Sequence, residues 1–179
     1  CFTESIGKKM AELKYKIDLN PFGILYNPVS IANGLRMLLN KKKFNENDLF
    51  HHNGLWHSFY HHSRFSFPSP EKALEEINQR IAGASGFLKK TDFLFITFGT
   101  ARVYEWKETG QVVSNCHKLP SNLFKEYRLP VFEIIGIYRD LLTEIWESKP
   151  DLNVIFTVSP VRHWKDGPVE NQRSKATLL

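Results

Sequence analysis

The chain of 179 residues holds only two cysteines, Cys1 and Cys116, and neither a CxxC pair nor an HExxH motif. So few thiols give no disulfide framework beyond a single bridge between the two. That usage fits a reducing, cytoplasmic compartment or a chain with one reactive thiol. No run approaches the roughly 20 apolar residues needed to cross a bilayer, so no membrane span is expected and the chain reads as soluble. No leader is legible before the abrupt start at Cys1, and no repeat or low-complexity linker divides the sequence. A basic stripe interleaved with aromatics is also missing. Net charge is +5, but Lys and Arg are scattered, and the one tight run, Lys41-Lys42-Lys43, follows an apolar segment as cations do at a helix C-terminus. Nucleic acid is not expected as a partner.

What is present is enough apolar material for one sizeable core, 42% of residues, and therefore a single domain over 1–179. Apolar residues at helical spacing predict a helix from an N-cap at Thr3 to about Lys16, one from Val29 to about Asn40 opened by Pro28, and one from Val131 to Ser148. Ser69-Pro70-Glu71 starts another that runs to about Leu88, and a last one begins at Glu170. Phe93–Phe98 and Asn153–Val158 are nearly continuous apolar runs, the pattern of parallel strands covered on both faces. Residues 103–106 and 111–113, joined through Glu108-Thr109-Gly110, read as an inserted hairpin. A short strand between the turns at Asn20-Pro21 and Asn27-Pro28 and a short helix near Asn122–Glu126 complete the pattern. It is α/β, three-layered, with a mostly parallel sheet and helices on both faces.

Residues 44–67 form an irregular aromatic excursion with a short helix near 45–50 and a strand near 55–59. His51, His52, His57, His61 and His62 crowd into it. His57 and His61 would fit i, i+4 metal ligands on a helix, but Asn53-Gly54 interrupts the segment, so no metal and no cofactor is expected. Trp56, Phe59, Tyr60, Phe65 and Phe67 pack this excursion onto the body, although stacking on a sugar uses the same residue types.

Chemistry in such a fold gathers at the C-terminal ends of the strands. Three loops meet there: the one bearing Cys1, the one after Phe98 (Gly99, Thr100, Ala101), and the one after Val158 (Ser159 to His163). Gly23 to Asn27 adds a fourth. A thiol just ahead of a helix gains from peptide N–H groups and the helix dipole, which lower its pKa and favour an oxyanion. His163 is a candidate base, against the default of a loop histidine bonded to its neighbours. Arg162 either binds a carboxylate or forms a surface pair. Cys116 and His117 are adjacent on an extended segment and point apart, which suits local structural roles.

Cys-Phe-Thr-Glu-Ser-Ile-Gly at the start, Tyr26-Asn27-Pro28, Phe98-Gly99-Thr100-Ala101, Asn115-Cys116-His117-Lys118, Ser159-Pro160-Val161-Arg162-His163 and Asn171-Gln172-Arg173-Ser174-Lys175 together resemble the GSCFA family. That family looks like a branch of the SGNH (GDSL-type) hydrolases, related to flavodoxin-like folds, with a cysteine where the nucleophilic serine would stand. The resemblance implies Cys1 as nucleophile and the Gly99-Thr100-Ala101 turn in place of the Gly-x-Asn block. Ala101 lacks the amide that holds the oxyanion there, and a backbone N–H or Asn27 would substitute. It implies also that the strand before Cys1 and an Asp-x-x-His segment after Leu179 belong to a longer domain; the base is then a histidine of that segment, or His163 serves, or the site is not catalytic. The expected activity is hydrolysis of esters, such as acyl groups on carbohydrate, on a small-molecule or glycan substrate. The alternatives are an acyltransferase and a non-catalytic domain that binds a glycan or acyl ligand. Oligomeric state is not encoded.

Overall fold

The computed structural model describes residues 2–162 and 167–179. Its helices are α1 (Phe2–Glu12), α2 (Pro28–Leu39), α3 (Pro70–Leu88), α4 (Val131–Ser148) and α5 (Gly167–Leu178). Its strands are β1 (Phe50–His52), β2 (Leu55–His57), β3 (Phe93–Phe98), β4 (Arg102–Trp106), β5 (Gln111–Val113), β6 (Phe124–Arg128) and β7 (Asn153–Val158). Among the described residues, no helix is long and apolar enough to cross a membrane.

The two apolar runs pair as expected: β3 and β7 lie parallel, in register from Phe93 with Asn153 to Phe98 with Val158. Successive side chains of a strand alternate in direction. Ile96 and Phe98 enter the core, where the Phe98 ring meets Tyr138 of α4 edge-on at 5.0 Å. Tyr138 in turn donates a 3.0 Å hydrogen bond to the Pro28 carbonyl, and Arg36 pairs with Glu144 at 2.9 Å, which locks α2 against α4. The other side of β3 is different. Phe93 and Phe95 are 56% and 50% exposed, where the apolar run predicted cover on both faces.

Among the described residues only β3 and β7 pair in parallel; the remaining strands form a β1–β2 hairpin and an antiparallel sheet in the order β5-β4-β6. The predicted hairpin of β4 and β5 is present. The helix expected near Asn122–Glu126 is instead a single 3-10 turn, Ser121–Leu123, running into β6, because β4 offers a complete ladder from Arg102 to Trp106 and tertiary pairing overrides local preference.

Local chemistry moved other boundaries. α1 begins at Phe2, so Thr3 lies within its first turn and does not cap it. It stops at Glu12 because Lys14 takes a left-handed conformation (φ 68°) and the N–H groups of Lys14 and Tyr15 return to the Ala11 and Met10 carbonyls, a Schellman ending. Lys41 (φ 49°) ends α2 in the same way. Residues 24–26, expected as a short strand, join no sheet. Asn53-Gly54, both at positive φ, do more than interrupt the excursion: they form the tight turn between β1 and β2.

Candidate functional site

Two residues expected to carry the chemistry, Cys1 and His163, lie outside the described residues. α1 starts at Phe2, immediately after Cys1, with Glu4 in its first turn.

The turn after β3 is built on a close approach. Gly99 and Thr100 both donate their N–H to the Tyr26 carbonyl, at 2.7 and 3.0 Å. A Cβ at position 99 would stand 3.0 Å from Tyr26 Cδ1 and 3.2 Å from that carbonyl oxygen, so glycine is what permits the contact. Ala101 is fully buried; its N–H donates to Ser174 Oγ at 2.7 Å and its carbonyl accepts from Leu129 at 2.9 Å. Thr100 Oγ1 lies 2.9 Å from Ser174 Oγ and accepts from the Arg102 N–H at 3.1 Å. Each of the three N–H groups in the turn already has an acceptor within the protein.

Asn27 is the N-cap of α2. Its Oδ1 accepts from the Ser30 N–H at 2.8 Å and its Nδ2 donates to Ser30 Oγ at 3.0 Å, so the buried amide that sequence offered as an oxyanion donor is engaged at both ends. Ser159 extends the β3–β7 ladder by one bond, its N–H donating to the Phe98 carbonyl at 2.8 Å, and its hydroxyl accepts from the Val161 N–H at 3.3 Å. Arg162 follows on the exposed loop. Thus Gly99, Thr100, Ala101 and Ser159 are brought together at the strand ends, with Asn27 adjoining through Tyr26.

Sequence reasoning passed over the residues that join these loops. Lys175 of α5 donates to the Gly99 carbonyl and to the Ser159 carbonyl, both at 2.6 Å, and burial lowers its pKa. Ser174 beside it is buried and holds both Thr100 and Ala101. One turn earlier, Glu170 lies 2.8 Å from Arg173, 3.5 Å from Arg128 and 3.6 Å from Arg102. The only signal was the run Asn171-Gln172-Arg173-Ser174-Lys175, which carries part of the family resemblance but no recognisable motif of its own.

The histidines of the excursion serve packing. His57 Nδ1 accepts from Ser66 at 2.7 Å, its Nε2 donates to the His52 carbonyl at 3.1 Å, and its ring centroid lies 4.5 Å from that of His117. His117 donates from Nε2 to the Ser58 carbonyl at 2.9 Å, and His61 Nδ1 pairs with Ser58 Oγ at 3.0 Å while Nε2 is buried without a partner. Burial depresses all three pKa values, His61 to about 3 and His117 to about 4. Among the described residues no group of three or more His, Cys, Asp or Glu is arranged to hold a metal ion. A groove of about 340 Å³ runs along α3, lined by Asp18, Glu76, Gln79, Arg80, Gly83 and Phe87; it includes none of the strand-end residues.

Fold and site define an α/β protein whose candidate site sits at the C-terminal ends of a parallel strand pair. The model of the GSCFA family matches residues 1–179, the whole chain, and the chain belongs to that family. No curated protein and no solved structure matches it.

Proposed function

We propose that the protein is an SGNH-like hydrolase acting on ester bonds, with acyl groups on carbohydrate as the substrate class and Cys1 as nucleophile. The observation that supports it best is the strand-end cluster: the turns after β3 and β7 are tied to each other through Lys175, the rigid edge such chemistry needs. A three-layer sheet of the SGNH kind is part of this reading, and in it the exposed Phe93 and Phe95 face would be covered.

Cys1, just ahead of α1, attacks as the thiolate. The C–S bond forms as the carbonyl π pair moves onto oxygen; collapse of that tetrahedral species restores the carbonyl and breaks the bond to the alkoxide. A histidine, from the Asp-x-x-His segment that the resemblance implies or else His163, takes the thiol proton and returns it to the departing oxygen, and water then hydrolyses the thioester to regenerate the thiol. Transfer of the acyl group to another acceptor uses the same parts. The test compares wild type with Cys1→Ala on acetylated sugars and simple aryl esters. Turnover should disappear in the variant; unchanged turnover sinks the assignment.

A second reading, a non-catalytic glycan- or acyl-binding domain, draws support from one feature. Every N–H of the Gly99–Ala101 turn is already bonded, and Ala101 has no side-chain donor. A glycan bound tightly without any turnover would favour it.

A further inference from the structure

We propose that Lys175 is the oxyanion-stabilising residue of this site, its ammonium group supplying the positive donor that the Gly99–Ala101 turn does not. This rests on the ester-hydrolase reading above and names a residue for it.

The turn itself has little to offer an oxyanion. The N–H groups of Gly99 and Thr100 point to the Tyr26 carbonyl, and that of Ala101 to Ser174. Using any of them on a substrate would break a bond that shapes the turn, and the alanine side chain brings no hydrogen-bonding atom. Asn27 is committed to capping α2. An acyl-transfer site nonetheless needs a preorganised donor where negative charge develops.

Lys175 is in position to be one. Its Nζ lies 2.6 Å from the carbonyl oxygens that close β3 and β7, so the ammonium is fixed between the two loops of the candidate site. An ammonium group has three N–H donors. Among the described residues two are used, both on neutral carbonyls, so its charge is not cancelled by a carboxylate. The residue is half-buried. Ser174, bonded to Thr100 and Ala101, fixes the same turn of α5, and the two carbonyls hold the ammonium at the end of its stem. A charged donor held in this way forms a shorter and stronger bond to an oxyanion than a neutral amide does.

Among the described residues, Arg102, Arg128 and Arg173 stand around Glu170 on α5, and Glu126 lies 2.8 Å from Arg102.

The experiment uses wild type, Lys175→Met and Lys175→Arg, with ester turnover, melting temperature and an NMR titration with methylphosphonate, a tetrahedral anion. For an oxyanion donor, Lys175→Met should lower kcat by about 10²–10³-fold while KM moves little. Lys175→Arg, which keeps the charge, should recover part of the rate. Methylphosphonate should shift the amides of Gly99–Ala101 and Val161 in wild type and not in Lys175→Met. A kcat within a few-fold of wild type in Lys175→Met overturns the inference and leaves the hydrolase reading standing, as does a loss shared equally by KM and kcat that Lys175→Arg does not restore. If wild type turns over no ester, the hydrolase reading has failed, and the titration decides alone: Lys175-dependent binding supports the anion contact, and no binding overturns it. Should Lys175→Met not fold, the wild-type titration and the Lys175→Arg rate separate the same two outcomes.

Discussion

The strand-end cluster and the histidine-rich excursion are both rich in polar side chains, and they use them in opposite ways. At the ends of β3 and β7 the polar groups are linked across the chain: Tyr26 to Gly99 and Thr100, Ser174 to Thr100 and Ala101, Lys175 to Gly99 and Ser159. In the excursion the imidazoles behave first as rings. Phe44 meets His61 edge-on at 4.9 Å, Phe22 lies 5.0 Å from the same ring, and His57 stacks near Phe50 and His117. The first region is held by directional bonds and should fail in geometry before it fails in stability. The second is held by packing and should fail in stability.

The largest effect expected is in the excursion. Phe44 is 2% exposed between Tyr60 and His61, so Phe44→Ala should cost about 3–5 kcal/mol in urea unfolding through the cavity it leaves. A loss under about 1 kcal/mol would mean that the aromatic cluster is not part of the cooperative core.

Acid should act on the same region. The folded pKa values of His61 and His117, about 3 and about 4, lie below the ordinary 6.5 because burial penalises the charged rings. The neutral forms are therefore the ones the fold favours. Their contribution is complete above pH 6.5 and is lost as pH falls through the interval down to those folded values. The slope approaches about 1.4 kcal/mol per pH unit for each ring, and because the unfolded rings are half protonated at 6.5, urea stability should drop by about 2 kcal/mol over the first unit below it. His61→Phe should remove about half of that dependence. An unchanged pH slope in that variant would place the acid sensitivity elsewhere.

Ser174 tests the other region. Removing its hydroxyl leaves the buried Ala101 N–H without an acceptor, which costs about 1–3 kcal/mol, and frees Thr100. Amide exchange should rise at Gly99–Arg102 while the β1–β2 hairpin stays protected. A uniform rise over the whole chain would show that the two regions do not unfold independently of each other.

These regions were also unequally legible. α2, α3, α4, β3 and β7 follow from apolar periodicity and from the Pro28 and Ser69-Pro70 starts, and in each case local preference and tertiary packing agree. β6 was hidden because Phe124–Arg128 is a strand only with β4 beside it. Of the strand-end cluster, sequence supplied Gly99, Thr100, Ala101 and Ser159 as loop residues following apolar runs. It could not supply Lys175 or Ser174, because a lysine on a polar helix looks the same whether it faces solvent or a pair of carbonyls 76 and 16 residues away. For the histidines, sequence set metal ligands aside because Asn53-Gly54 interrupts the segment; in the structure that interruption is the hairpin turn that folds His57 back onto His52 and into the aromatic packing.

The smallest effect separates the two uses of a polar group at a single residue, Asn27. As the cap of α2 it needs only an acceptor for the Ser30 N–H, and aspartate provides one while adding a negative charge at a helix start that has no acidic residue in its first turn. Asn27→Ala should therefore lower stability by about 1 kcal/mol, and Asn27→Asp should stay within a few tenths of wild type. The amide Nδ2 now bonds Ser30 Oγ, and aspartate forfeits that donor but lets the serine hydroxyl donate to the carboxylate instead. If Asn27→Asp kept its melting temperature but lost ester turnover, the amide would be acting on substrate. The contrast between a cluster built for geometry and an excursion built for packing would then have to count Asn27 as a donor that leaves Ser30 Oγ when substrate binds.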